Sequence, residues 1–405
     1  MTETSLHRVD LPQMDATGVP VLVKPLLKRL ATLPRGRLRL DLPSGRIVGL
    51  LGAEPGPEGW MSLVRYRAVR RFFSGGALGF GEAYVDGDWD TPDLPALLAY
   101  FLANQSHLSF APPAWLGWLP RLIHRLNANT RAGSQRNIAS HYDLGNRFYA
   151  QWLDPSMTYS AAVFDDTNDL EAAQRNKYRR MADLAGICPG DHVLEIGCGW
   201  GGFAEYAASE RGASVVGITL SREQKAWAEE RIARAGLSDR VEIRLQDYRD
   251  VTGQFDRIVS IEMLEAVGEQ FWPTYFATLR RLVAPGGGIA LQGITIADDR
   301  YAEYRATPDF IQTHVFPGGM LPSPSLLTQH LVRAGLNVRA DHGIGLDYAQ
   351  TLALWRDRFL AAWDTIRPLG FDDRFRRLWT YYLGYCEAGF RHGAIDVRQI
   401  GAVVG

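Results

Sequence analysis

One stretch of the 405-residue chain has the residue types and order of a ligand cradle. Val193-Leu194-Glu195-Ile196-Gly197-Cys198-Gly199-Trp200-Gly201-Gly202 reads as a buried strand, a glycine-rich turn and the start of a helix. Glycines in such a turn let the backbone pass close to a ligand and adopt φ > 0. A dinucleotide-binding loop looks similar, and a lone G-x-G is weak evidence for any one ligand. Two features argue against a pyrophosphate. Glu195 sits just before the loop, an awkward neighbour for a dianion but a good partner for a cationic amino acid. The next strand ends in Gly217-Ile218-Thr219, with no acid to hold a ribose.

Such a loop needs a sheet behind it, and the sequence supplies one. After Ile138, strands alternate with helices, which predicts a parallel α/β sheet. Strands are expected at 192–198, 214–219, 241–247, 255–264 and 288–295, and helices follow near 325–335, 348–366 and 373–389. The third strand ends in Gln246-Asp247, which could face an adenine, and the fourth runs toward an active site. Upstream, a helical pattern from Val21 leads into the alternating Arg37-Leu38-Arg39-Leu40 and a hairpin turn at Pro43-Ser44-Gly45. Gly/Asp-rich loops then precede an apolar helix starting near Pro92. The expected division is a loose 1–20, a small α+β domain over 21–106, a connector over 107–136 and a catalytic domain over 137–405.

Glu-x-Gly-x-Gly-x-Gly at this spacing resembles the first motif of the S-adenosylmethionine (SAM)-dependent methyltransferases. Flanking motifs narrow the resemblance. They are His141-Tyr142-Asp143-Leu144-Gly145-Asn146, Leu153 to Ser160, Gly217 to Ser221 with Gln224, Phe316-Pro317-Gly318-Gly319 with Leu321-Pro322-Ser323, Tyr348 with Thr351-Leu352 and Trp355, and Tyr382-Leu383 with Cys386. Together these look like the cyclopropane-fatty-acyl-phospholipid synthase family, over essentially the whole chain. The resemblance implies a doubly wound, class I SAM-methyltransferase (Rossmann-like) sheet beside the smaller N-terminal domain. It also implies transfer of a methyl carbon from SAM to a double bond in an unsaturated phospholipid acyl chain. In the family the alkene attacks the methyl, and the resulting cation loses a proton to a bound bicarbonate as the ring closes.

Carried over position by position, the family's cofactor contacts fall on Tyr159, Ser160, Gly197, Gly199, Thr219, Gln224, Gln246, Asp247 and Ile261, with Glu195 beside them. Tyr159 could cover the sulfonium, whose charge attracts an aromatic face. Thr219 and Gln224 could bond the ribose hydroxyls. The anion-holding positions fall on Ala161, Glu265, Gln292, Ile294 and Tyr348, with Ile294 acting through its backbone. Cys386 matches a cysteine proposed as catalytic in the family. A small buried apolar role is preferred for it, because no enzyme nucleophile is needed when the substrate itself attacks. The chain departs from better-known members in three places: Ala161 stands for a Cys, Gln292 for a His, and Ala266 for a His after Glu265. If deprotonation at the methyl slows, a hydride shift leads to a methyl-branched alkene, so ring closure is expected first and C-methylation second.

Composition bounds the rest. With 44 Lys+Arg against 45 Asp+Glu the chain lacks the bulk positive charge of a nucleic-acid protein. Three cysteines form neither a disulfide framework nor a metal-ligand spacing, and suit a reducing compartment. The N-terminus lacks a secretory pattern and no apolar run approaches ~20 residues, so a cytoplasmic location is expected. Residues 107–136 differ: no acid occurs between Leu94 and Tyr142, while Trp115, Trp118, Arg121, Arg125 and Arg131 are present. The pattern suits a helix lying in a membrane interface. It equally suits a connecting helix whose tryptophans pack on a neighbouring domain. The family resemblance favours peripheral membrane contact and also implies a homodimer.

Overall fold

The computed structural model describes residues 21, 23–108 and 144–405. Expectations for 1–20, for 109–136 and for His141-Tyr142-Asp143 lie outside the described residues. The described chain divides into two units.

The larger unit runs from 144 to Leu369 and resumes at Gly393–Gly405. It holds a seven-stranded sheet of β5 (His192–Ile196), β6 (Ser214–Thr219), β7 (Val241–Leu245), β8 (Phe255–Ile261), β9 (Val283–Ile296), β10 (Leu336–Gly343) and β11 (Ile395–Val404), in the order β10-β11-β9-β8-β5-β6-β7. The β5–β6, β5–β8, β6–β7 and β8–β9 pairs are parallel, whereas β11 runs antiparallel to both neighbours. The expected doubly wound α/β sheet is therefore present, with one reversed strand. Alternate side chains feed two cores, as strand geometry requires. Val193, Val215 and Ile243 pack with the helices Leu170–Ala185 and Gly202–Arg211. Leu194, Ile196, Val216 and Ile218 pack on the other side with Trp272–Leu282 and Pro324–Arg333. Strand order reverses about β5, so a crevice opens at the carboxyl ends of β5 and β8.

The smaller unit comprises the described residues up to 108 and Gly370–His392. Its sheet has the order β2-β1-β3-β4, built from β1 (Arg35–Asp41), β2 (Ile47–Leu51), β3 (Glu54–Leu63) and β4 (Trp89–Asp90). The expected turn at Pro43–Gly45 joins β1 to β2, and the apolar helix is Leu94–Ala103, capped by Asp93.

Two expectations need correction. The Gly-rich run before Asp86 is not loop but the helix Arg67–Val85, broken only at Gly76, where φ is +55°. Buried Ala68, Val69, Phe72 and Tyr84 supply enough apolar contact to override the glycines' poor helix propensity. The catalytic domain, expected as an unbroken 137–405, loses the helix Asp373–Arg391 to the smaller unit. There Arg377 donates to the carbonyls of Tyr84 (2.6 Å) and Trp89 (2.8 Å).

Candidate active site

The crevice above β5 is lined by Met157–Ser160, Lys177, Tyr178, Glu195–Trp200, Thr219, Gln224, Gln246, Tyr248 and Ile261–Met263, and encloses about 990 Å³ of empty volume with its open mouth included. Every expected cofactor position except Asp247 is in this lining. Asp247 is turned to Arg249, which approaches it at 2.6 and 2.8 Å, and caps the following turn.

Local chemistry explains the shape. β5 stops at Ile196 because Gly197 (φ +85°) turns the chain out, and Gly201 (φ +83°) brings the next helix against Ala228. Glu195 is buried at the strand's end. Its carboxylate accepts from the N–H of Ala204, while Oε2 has no partner. Burial pushes its pKa up to about 8, with Lys177 and the Ala204 N–H working the other way. An orphaned acid beside a glycine cradle fits the ammonium of a bound amino acid. On the opposite wall Thr219 Oγ1 donates to Gln224 Oε1 at 2.8 Å, and Ser221 caps the helix Arg222–Arg234.

The 154–160 loop closes the crevice. Met157 takes φ +55°, Ser156 and Thr158 bond each other, and Thr158 bonds Tyr178 in turn. Tyr159 stands in an aromatic wall with ring centroids at 5.1 Å from Trp355, 5.3 Å from Tyr149 and 5.7 Å from Trp152. Trp200 and Tyr348 extend the wall.

Beneath the crevice lies a buried carboxylate pair. Oε1 of Glu265 accepts from the backbone N–H of Ile294, and its Oε2 is buried without a partner. Burial, then the charge of Glu262, pushes the Glu265 pKa up to about 8. Glu262 Oε1 accepts from Ala161 N (2.8 Å) and Gln292 Nε2 (2.8 Å), and Tyr348 also bonds this carboxylate. Gln399 in turn donates to Gln292 Oε1 at 2.8 Å, which points the Gln292 amide at Glu262. Ala161, Glu265, Gln292, Ile294 and Tyr348 are thus brought together as expected, whereas Cys386 sits half-buried on Asp373–Arg391 in the smaller unit.

The expectation of a bound bicarbonate does not survive this geometry. Three of the donors assigned to it (Ala161 N–H, Gln292 and Tyr348) already end on Glu262, so a second anion would lack partners and face two acids. Sequence reasoning missed Glu262, although an acid just past the carboxyl end of β8 was a visible signal. It also missed Lys177, which gave none: its helix looks polar, yet the side chain is fully buried.

This sheet order, glycine loop and buried acid define a class I SAM-dependent methyltransferase, with SAM as co-substrate. The family described as mycolic acid cyclopropane synthetase matches residues 129–400. The chain is 43% identical over 404 residues (95% of this chain, 91% of the other) to tuberculostearic acid methyltransferase UfaA1 of Mycobacterium tuberculosis. It is 38% identical over 347 residues (82% and 84%) to the cyclopropane-fatty-acyl-phospholipid synthase of Escherichia coli. The crystal structure of mycolic acid cyclopropane synthase CmaA1, complexed with SAH and CTAB, superposes with a TM-score of 0.62 at 31% identity, covering 66% of this chain and 97% of that one. The chain belongs to the mycolic acid cyclopropane synthetase family.

Proposed function

We propose that the protein transfers the methyl carbon of SAM to a carbon–carbon double bond in an unsaturated phospholipid acyl chain. SAM supplies an electrophilic methyl on a sulfonium. On this reading Glu195 holds its ammonium, the backbone at Gly197 and Gly199 admits its body, Thr219, Gln224 and Gln246 meet its sugar and base, and Ser160 and Ile261 flank it. Tyr159 offers its ring face to the positive sulfur. The observation that carries the reading is the cluster of Ala161, Glu262, Glu265, Gln292 and Tyr348 at the floor of an aromatic-walled crevice. An alkene is a poor nucleophile, so alignment is worth most here, and a water-poor wall protects the cation that forms.

For the product, the methyl-branched alkene is the outcome we favour. The relative matched over 95% of the chain is named a methyltransferase. Burial raises the Glu262 pKa, and the Ala161, Gln292 and Tyr348 donors that offset this also fix the carboxylate in place, so deprotonation waits on alignment of the methyl and a hydride shift can come first. Ring closure is the second reading, supported by the family description and the Escherichia coli relative. Both products add CH₂, so mass cannot separate them. Proton NMR of lipid from a host lacking its own synthase does so: vinylic methylene signals support the first, upfield cyclopropane signals the second, and unchanged lipid defeats both.

A phospholipid substrate must be drawn from a bilayer. Among the described residues no helix is long and apolar enough to cross one. The basic, tryptophan-bearing 107–136 run is the sequence feature suited to peripheral contact with the cytoplasmic face.

A further inference from the structure

Glu262 is in a conformation that a glutamate rarely adopts. Its φ is +50°, and among the described residues only Met157 shares a positive φ without being glycine. Such a backbone persists where its surroundings over-determine it. Here the Glu262 N–H donates to Gln292 O at 2.7 Å, and the side chain is fastened by Ala161, Gln292 and Tyr348. Unlike Glu265, Gln292 and Tyr348, it also lines the crevice, together with Ser160, Glu195 and Met263. The two neighbouring acids are unequal. Glu262 has three donors and a nearby buried cation, Lys177, whereas Glu265 has the Ile294 N–H and an Oε2 with no partner. Burial raises both, the charge of Glu262 raises Glu265 further, and the carboxyl with more donors keeps the charge.

We propose that Glu262 is the resident base of this active site, a carboxylate of the chain itself standing where relatives of this family are expected to hold a free carbonate anion. The inference rests on the alkene-methylation reading above. In the step, a C–H bond of the transferred methyl breaks and its electron pair forms the new carbon–carbon bond. That bond is the π-bond of a methylene group after a hydride shift, or the third side of a ring without one. The proton goes to the Glu262 carboxylate and leaves to solvent after the product departs. Glu265, kept protonated, prevents a second charge from competing.

The test uses the full-length protein with SAM and vesicles of unsaturated phospholipid, in buffer stripped of CO₂ or supplemented with bicarbonate. Wild-type turnover is expected to be the same in both. Glu262→Gln, which keeps the side chain's shape, is expected to lose about 10²–10⁴-fold, the usual worth of a positioned base. Glu262→Gly opens the anion site and is expected to regain turnover with bicarbonate. A second readout needs no lipid: line broadening of ¹³C-bicarbonate by Glu262→Gly but not by wild type. Wild-type activity that collapses on CO₂ removal, broadening by wild type, or wild-type turnover in Glu262→Gln each overturns the proposal. Absence of methyl transfer from every variant, with broadening confined to Glu262→Gly, instead sinks the substrate reading and leaves the filled anion site standing.

Discussion

The ammonium of Lys177 donates to the hydroxyl of Ser160 across 2.8 Å. The lysine is fully buried, and its pKa is pushed down to about 8 by burial, while Glu262, Asp154 and Glu195 pull it back up. One cation therefore offsets acids on both the cofactor side and the floor of the crevice. Replacing Lys177 with Met leaves those carboxylates without it, and removing one partner from a buried charge group typically costs about 3–5 kcal/mol. Denaturant unfolding should show a loss of that order at neutral pH, with weaker SAM binding by calorimetry. A variant as stable as wild type contradicts the charge balance described.

Glu195 sets a pH signature. Between the usual carboxylate pKa of 4.5 and about 8, the folded protein keeps a proton that the unfolded chain has lost. Stability of the ligand-free protein should therefore fall as pH rises through that window. A bound cation favours the ionised form, so SAM binding at neutral pH should release a proton and tighten as pH approaches 8. Titration calorimetry in buffers of different ionisation enthalpy reads the proton directly. Glu195→Gln should weaken binding by about 1.5–3 kcal/mol, as expected for a hydrogen bond to a charged group, and abolish the proton release.

Glu265 separates an enzyme from a mere cofactor binder. Its carboxyl lies beneath the crevice, bonded to Ile294 N–H, and takes no part in the lining. Glu265→Ala, which removes the neutral acid and its bond to the Ile294 N–H, should misplace the floor of the site and lower turnover about 10²-fold while SAM affinity stays at the wild-type value. Equal losses in both would mean that the pair only shapes the pocket.

Membrane contact is tested without reference to catalysis. Liposomes containing anionic lipid should sediment the protein, and Trp118→Asp should weaken this, because a charge in place of an aromatic side chain opposes entry into the membrane interface. Unchanged sedimentation of the variant removes the role assigned to 107–136.

Local sequence carried much of this architecture, and its failures have physical causes. β6 was legible residue for residue at 214–219, since Ser214-Val215-Val216-Gly217-Ile218-Thr219 is a short apolar run between turn signals. β8 was expected to reach 264 but stops at Ile261, because the left-handed Glu262 ends it. β10 and β11 were not expected at all. β10 is an edge strand with mostly exposed side chains and little apolar alternation, and β11 is ordered by pairing with β9, about a hundred residues earlier. In the site, the glycine loop and the Glu265 cluster were legible by motif. The buried state of Lys177 and the capture of the Ala161 and Gln292 donors by Glu262 were not, since both are properties of packing.

The excursion of residues 370–392 has a consequence for handling the molecule. The polypeptide departs the larger unit, contributes one helix to the smaller, and returns to lay down β11 between β9 and β10. The two units are therefore not consecutive in sequence: expressing either as a simple N- or C-terminal fragment orphans a helix from one or deletes an interior strand from the other. Separate production calls for a circularly rewired gene in which a short bridge replaces the whole detour.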